Sequence, residues 1–375
     1  MQNFTEGNMA PWYEDREKIT AVTIKDGITN IGDLAFYGCI ALQSISLPES
    51  ITKIGDMAFA GCSNLRAFSI SEFTSVTNIG KSAFAECSSL PIGTGAYTFP
   101  SCISFGEEAF RAANVTNIAW MNSSAVVKKG CFSYCPLTSL AGFPSNGDGL
   151  IPDECFMYSG LTSISNLPPT ITEIGVKSFY GCPIQTMDYF GETNIRKIGD
   201  EAFRTVSGIP YIRFPSSIRE MGKYVFESRT PVRYDVPTRE LTKWNQFSVI
   251  SRNGGYMMIP MKAADMYNVL VASSWSSSGR LLASNYDSYP SIQIYCQDRV
   301  IQKMPNGYQV PLYRICDIGE TLESCFTIEG TSWPCNFTIQ GVGADPVVSF
   351  GDAENPVGTA VVTVTVAEDK CYFGT

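Results

Sequence analysis

One apolar position organises the first two thirds of the chain. A phenylalanine recurs in the frame Ile-Gly-x-x-Ala-Phe-x-x-Cys at Phe36, Phe59, Phe84, Phe110, Phe132, Phe156, Phe179, Phe203 and Phe226, in steps of 22 to 26 residues. Five residues before each sits an apolar side chain: Ile31, Ile54, Ile79, Phe105, Val127, Ile151, Ile174, Ile198 and Met221. Four before it is usually glycine, as in Gly32, Gly55, Gly80, Gly106, Gly175, Gly199 and Gly222; Lys128 and Pro152 are the exceptions. One before it is a small residue, and three after it is often cysteine (Cys39, Cys62, Cys87, Cys135, Cys182). A second apolar pattern follows at short range: Leu42-x-x-Ile45-x-Leu47, Leu65-x-x-Phe68-x-Ile70, and later copies down to Ile209-x-x-Ile212-x-Phe214. Its last two apolar positions are two apart, the period of one face of a strand.

A unit of about 24 residues with one short strand lies in the range of leucine-rich repeats. Such a unit cannot bury its apolar side alone, whereas stacked units bury a continuous column. The prediction is a mainly β solenoid of nine to ten repeats over residues 1–236, roughly 45 Å long at ~4.8 Å per rung. The phenylalanines are expected to form an aromatic spine. The glycines are expected to allow a tight turn or a positive φ. The first slot is incomplete: Ile19-x-x-Val22-x-Ile24 fits the second pattern, and Tyr13 stands where the phenylalanine belongs.

This frame resembles the BspA-like leucine-rich repeats of bacterial surface proteins. The lead-in Ala10-Pro11-Trp12-Tyr13, followed by Asp26-Gly27-Ile28-Thr29-x-Ile31-Gly32, is also similar to that family. The resemblance implies a non-catalytic, exported cell-surface protein acting in adhesion to host matrix proteins or to other cells. It also implies a β-rich cap ahead of this region. Met1 begins inside the lead-in, with no charged-then-apolar signal segment. The chain therefore reads as a trimmed or mature fragment, with a truncated gene as the alternative.

The middle of the solenoid departs from the pattern. Leu90-Pro91-Ile92-Gly93 replaces the expected strand, Gly95–Cys102 intervenes, and the copies at Phe110 and Phe132 lose the cysteine or the glycine. The repeat cysteines, with Cys131 and Cys155 at the small-residue position, read as buried small hydrophobes rather than a redox ladder. Cys296, Cys316, Cys325, Cys335 and Cys371 have no repeat register. Their number is odd, so one stays free even if disulfides form.

The repeat stops near Val232–Val236, and Pro237 breaks the register. Residues 237–375 read as short strands: 247–251, 256–259, 267–272, 291–297, 308–315, 325–329, 336–340 and 360–366. Turn signals such as Asn253-Gly254-Gly255 and Asn306-Gly307 separate them. This favours a β-sandwich. The final run Gly358–Val366 resembles the last strand of a bacterial Ig-like module. The region is one domain, or two split near 316–320.

Composition narrows the chemistry. The 375 residues contain no histidine, which removes every His-dependent nucleophile, general base and metal ligand. No C-x-x-C pair and no Walker-type glycine loop occurs. Neither a catalytic residue, a cofactor nor a metal site is assigned. Asp352-x-Glu354-Asn355 reads as a solvated loop, although it could hold a cation. Trp244, Trp275 and Trp333 read as core, although each could stack on a sugar. The net charge of −9 is spread over both parts, with no basic face for nucleic acid. No apolar run is long enough to span a membrane.

The remaining candidate is the strand face of the solenoid, a stripe rich in serine and threonine. Its binding candidates are Gln43, Arg66, Asn117, Gln185, Asp188, Tyr211 and Arg213. The partner expected is an extracellular protein or cell-surface macromolecule. The alternative is a glycan-binding accessory protein whose specificity resides in the C-terminal sandwich.

Overall fold

The structure, a computed structural model, describes residues 1–68, 73–92, 98–119, 121–165, 167–188, 190–206, 209, 211–228, 232–244, 249–251, 255–261 and 265. It also describes the strands 293–295, 300–301, 336–341 and 360–365. The fold is a mainly β solenoid. Each turn contributes a two-residue strand that begins the repeat frame. Asn30–Ile31, Lys53–Ile54, Asn78–Ile79, Ser104–Phe105 and Val126–Val127 stack into one five-stranded parallel sheet. Leu150–Ile151, Glu173–Ile174, Lys197–Ile198, Glu220–Met221 and Lys243–Trp244 form a second.

The aromatic spine is present. All nine phenylalanines of the frame are buried, and consecutive rings stack with centroids 5.1 to 6.0 Å apart. Trp12 extends the column, stacked on Phe36 at 5.8 Å. Trp12, rather than Tyr13, therefore fills the first aromatic slot. The reason is a hydrogen bond: its indole Nε1–H donates to the Ala35 carbonyl at 2.8 Å. In later turns the phenylalanine's backbone N–H makes that bond, as from Phe36 to Ala58 and from Phe59 to Ala83.

Each regular turn gives the next one three such bonds. In the second, Met57, Phe59 and Gly61 donate to Lys81, Ala83 and Ala85 at 2.7 to 2.9 Å. Aiming all three N–H groups the same way requires left-handed residues two before and two after the phenylalanine. Leu34, Met57, Ser82, Glu108, Glu154, Lys177, Glu201 and Tyr224 hold the first position at φ of 50° to 57°. A left-handed residue with a side chain costs ~1–2 kcal/mol, and the ladder offsets it in turn after turn.

The repeat glycines have a different role from the one expected. Gly55, Gly80, Gly175, Gly199 and Gly222 are not among the positive-φ residues. A Cβ on Gly199 would lie 2.7 Å from both Gly175 C and Val176 N. A Cβ on Gly222 would lie 2.5 Å from Asp200 N. Glycine is required there because the backbones of adjacent turns touch. Beside it, Asp33, Asp56, Asp153 and Asp200 accept the N–H of the following turn at 2.7 to 2.8 Å. Asn3 plays the same part for the first turn, accepting from Asp33 N–H at 3.3 Å.

The repeat cysteines are buried, as expected, and also bridge turns. Sγ of Cys62, Cys87, Cys135 and Cys182 donates to the carbonyls of Phe36, Phe59, Phe110 and Phe156 at 3.0 to 3.2 Å. Where the two sheets part, the buried side chain of Asn146 joins them. Its Oδ1 accepts from Val127 N–H at 2.6 Å, and its Nδ2 donates to the Leu150 carbonyl at 2.7 Å.

Pro237 does not end the stacking. Val232–Asp235 pairs in parallel with Gly255–Met258, Phe226–Ser228 with Val249–Ser251, and Glu220–Met221 with Lys243–Trp244, all at a step of 23 residues. Met258 in turn pairs with Tyr295. The ladder thus passes the boundary expected at 236, and the strands at 249–251, 255–258 and 293–295 are rungs of parallel sheets rather than sandwich strands. Pro237 follows Tyr234 by three residues, as Pro48 follows Ile45 and Pro215 follows Ile212. It is the repeat's own corner residue, placed where no ladder N–H is needed. Further on, Asn336–Gly341 pairs antiparallel with Ala360–Thr365. The other C-terminal strands expected, the C-terminal cysteines, Trp275, Trp333 and Asp352–Asn355 lie outside the described residues.

Candidate recognition surface

The second apolar pattern of each repeat forms an outer ladder. Ala21–Thr23, Ser44–Ser46 and Ala67–Phe68 pair in parallel at its start. Single bridges, Ile92 to Val115 and Ser163 to Thr186, mark its middle. Toward its other end Tyr211–Arg213, Val232–Asp235, Gly255–Met258 and Gln293–Tyr295 form a continuous parallel set, closed by antiparallel Val300–Ile301. Side chains alternate as the period of two requires: Ser44 exposed, Ile45 buried, Ser46 half-buried; Tyr211 exposed, Ile212 buried, Arg213 exposed.

The predicted residues fall into separate groups on this ladder. Gln43 and Arg66 are exposed neighbours at the N-terminal end, where the Gln43 carbonyl accepts from Arg66 N–H at 2.9 Å. Asn117 is half-buried, and its Oδ1 accepts from Ala119 N–H at 3.3 Å. Gln185 and Asp188 are exposed on the turn before Tyr211. The Tyr211 hydroxyl donates to Asp235 Oδ2 at 2.8 Å. The stem of Arg213 runs beside Gly191, where an added Cβ would meet its Cγ and Cδ at 3.1 Å. The structure therefore brings Tyr211, Arg213 and Asp235 together and leaves Gln43 and Arg66 far along the ladder.

Sequence reasoning missed the continuation of the same rows. Arg233, Tyr256 and Gln293 hold the register positions of Tyr211, while Asp235, Met258 and Tyr295 hold those of Arg213. The phenylalanine signature had ended by then, since Val249 takes the rung position of Phe226. The steady 23-residue step was the signal that remained.

Two other aromatic features are accounted for by packing. Tyr134 and Tyr158 are exposed and stacked at 5.1 Å, but the Tyr158 ring occupies the place a Cβ of Gly181 would take. Trp244 is buried and packs edge-on to Phe214 at 6.1 Å, which is the core role rather than sugar stacking. Burial pushes the Cys39 and Cys182 thiols up to about 11 and those of Cys102 and Cys135 to about 12, so they are not poised as nucleophiles. Among the described residues no group of three or more potential ligands could hold a metal ion. No helix among them is long and apolar enough to cross a membrane.

Parallel rungs, a buried aromatic column and an outward polar strand face define a leucine-rich-repeat solenoid. Residues 12–141 and 149–250 match the BspA type leucine rich repeat region in six copies, and the chain belongs to that family. Among solved structures, a leucine-rich repeat protein from Bacteroides ovatus shares 23% identity at a TM-score of 0.50, over 65% of each chain. This chain thus spans just under two thirds of that protein's length. A leucine-rich repeat protein from Eubacterium ventriosum is 16% identical over 82% of this chain and 90% of its own, at a TM-score of 0.43. A leucine rich cell surface protein from Faecalibacterium prausnitzii is 18% identical over 64% of this chain and 68% of its own, at a TM-score of 0.33. No curated protein matches the chain.

Proposed function

We propose that this is a non-catalytic, exported protein of the bacterial cell surface that uses the strand face of its solenoid for protein–protein recognition or adhesion, on host matrix or on other cells. The observation that carries this reading is the division of labour within each rung. Inward positions are buried in one continuous core, while outward positions such as Ser44, Thr186, Tyr211 and Arg213 are exposed. Solenoids commonly use such a face as an extended contact surface. The test is binding of the full chain to a panel of immobilised extracellular matrix proteins, before and after Arg66→Glu and Arg213→Glu. Binding that falls with at least one of them supports the proposal. Binding indifferent to both, or turnover of a polysaccharide or peptide, refutes it.

A second reading is a glycan-binding accessory protein with specificity in a C-terminal β-sandwich. The antiparallel pair Asn336–Gly341 with Ala360–Thr365 favours it, since antiparallel pairing is the rule in sandwiches. Its test is a glycan array probed with the same full chain.

A further inference from the structure

The two inner sheets part at one seam. Val126–Val127 ends the first and Leu150–Ile151 begins the second, and neither strand pairs with the other sheet. The seam falls between the turns of Phe132 and Phe156, whose rings stand 6.0 Å apart, the widest step in the column of nine. Among the described residues the outer ladder has no bridge between these two turns either. One pair of side chains spans the seam on the outside. Tyr134 and Tyr158 each stand two residues past the phenylalanine of their turn, and the Tyr134 N–H donates to the Met157 carbonyl at 2.8 Å. Both are left-handed, with φ of 60° and 55°, so their side chains leave the two turns in the same direction. The rings stack with centroids 5.1 Å apart at 27°, and they are 44% and 46% exposed. We propose that Tyr134 and Tyr158 are an oxidative cross-linking site, and that a dityrosine bond between them staples the two sheets across the seam. The oxidant is hydrogen peroxide acting through a haem peroxidase.

The step balances as follows. Each phenol gives up one electron and one proton and becomes a phenoxyl radical. The two radicals join through ring carbons ortho to their oxygens, and the hydrogens on those carbons move to the oxygens. The chain loses two hydrogens, and one hydrogen peroxide is reduced to two waters. Three observations select this pair. First, coupling requires two radicals to meet, and packing holds these rings together before either is oxidised: Tyr158 lies over Gly181 on one side, and the Arg111 guanidinium lies 5.5 Å from the Tyr134 ring. Second, both rings are exposed, so a surface oxidant reaches them and their edges have room to tilt toward bond formation. Third, the rings are close to parallel, which leaves a small rotation to the joined product. Tyr180 also meets Tyr158, at 5.3 Å, but it does so edge-on at 74° and is half-buried. A bond between the two turns closes a loop in the unfolded chain, and so favours the folded one as a disulfide does.

The site lies on the phenylalanine turns rather than on the outer ladder, so it does not depend on the protein-recognition reading. The experiment treats the full chain with hydrogen peroxide and a plant haem peroxidase, at a dilution that disfavours contact between chains. Dityrosine fluorescence is read, and the cross-linked peptides are mapped by mass spectrometry. The expected product is a single chain lighter by two hydrogens, with the peptides of Tyr134 and Tyr158 joined. That joined peptide should be absent from Tyr134→Phe and from Tyr158→Phe, which keep a stacked ring and therefore the fold. It should persist in Tyr37→Phe, which removes another tyrosine of similar exposure, 39%. Oxidation should raise the urea midpoint of the unaltered chain and leave those of Tyr134→Phe and Tyr158→Phe where they were. No bond between the two peptides, a bond from Tyr158 to Tyr180 in its place, cross-linking between chains alone, or a urea midpoint unmoved by the cross-link overturns the proposal.

Discussion

Two glycine-to-alanine exchanges separate the reasons this fold needs glycine. Gly61 has φ +76°, and an added Cβ would meet Gly38 Cα at 3.5 Å and Gly38 N at 3.8 Å, both ordinary contacts. The equivalent positions in other turns already carry Ala112, Tyr134 and Thr205 at positive φ. Gly61→Ala should therefore cost ~1 kcal/mol, the left-handed penalty of a side chain. At Gly199 the φ is unremarkable, but the new Cβ would sit 2.7 Å from two backbone atoms of the preceding turn. No rotamer change relieves a backbone clash, so the turns must separate. That costs ~1–3 kcal/mol as overpacking. It also weakens the 2.7 Å bond from Gly199 N–H to the Ile174 carbonyl, worth ~1 kcal/mol. Gly199→Ala should thus lose about 3 kcal/mol, several times the loss at Gly61. The assay is urea unfolding followed by far-UV circular dichroism. Midpoints should be compared, because stacked repeats need not unfold in one step. Equal midpoints for the two variants, or a larger loss for Gly61→Ala, would refute the contact explanation.

Asn146→Leu should lower stability by ~2–5 kcal/mol, since it strands both the Val127 N–H and the Leu150 carbonyl; an unchanged melting temperature would show that the joint between the two sheets does not depend on it. Phe156→Ala opens the column between rings at 6.0 and 5.4 Å and should cost ~3–5 kcal/mol, with amide exchange rising first in the turns of Phe132 and Phe179. The buried thiols keep their protons in the folded state up to about 11 or 12, above the ordinary value of 9.0. The unfolded chain loses those protons first, so stability is complete below about pH 9 and falls as pH rises through 9 to 12. A Cys135→Ala variant should flatten that fall, and parallel curves would count against it. Tyr234 is fully buried and its hydroxyl has no hydrogen-bond partner among the described residues, so Tyr234→Phe should be neutral or stabilising by ~1 kcal/mol; a clear loss in a thermal melt would reveal a partner.

The spine was legible because its cause is periodic. One ring per turn must meet the next ring, and only a constant frame achieves that, so nine phenylalanines were enough to place it. Features carried by the backbone were not legible. Leu34, Met57 and Tyr224 carry no mark of the left-handed conformation that the inter-turn ladder forces on them. Trp12 was passed over for Tyr13 because its role depends on an indole N–H standing in for a backbone N–H, which spacing does not encode. Pro237 reads as a stop when taken alone, although it holds the corner position that Pro48 and Pro215 hold in earlier turns. On the strand face, the alternation placed Tyr211 and Arg213 in solvent, while it does not encode the half-burial of Asn117, in the middle turns where the ladder narrows to single bridges.

The inward and outward residues of each rung answer to different constraints, and that separates fold from function in this chain. The inward set of the frame must repeat, because each turn is the floor of the next. Gly199 must admit Gly175, Cys182 must reach the Phe156 carbonyl, and Phe203 must lie flat on Phe179. The outward set is less constrained: it is small at Ser44, Ser163 and Thr186 and large at Tyr211 and Arg213, where the Tyr211 hydroxyl reaches Asp235 of the next rung. The core beneath does not account for that difference, since Ile212 is buried between Tyr211 and Arg213 as Ile45 is between Ser44 and Ser46. Stability gives no reason to place Tyr211 in solvent at 40% exposure, where burial would have gained more. With Ile212 buried as Ile45 is, the size of Tyr211 and Arg213 is not set by the core beneath them, which makes these two the first residues to vary in a binding assay.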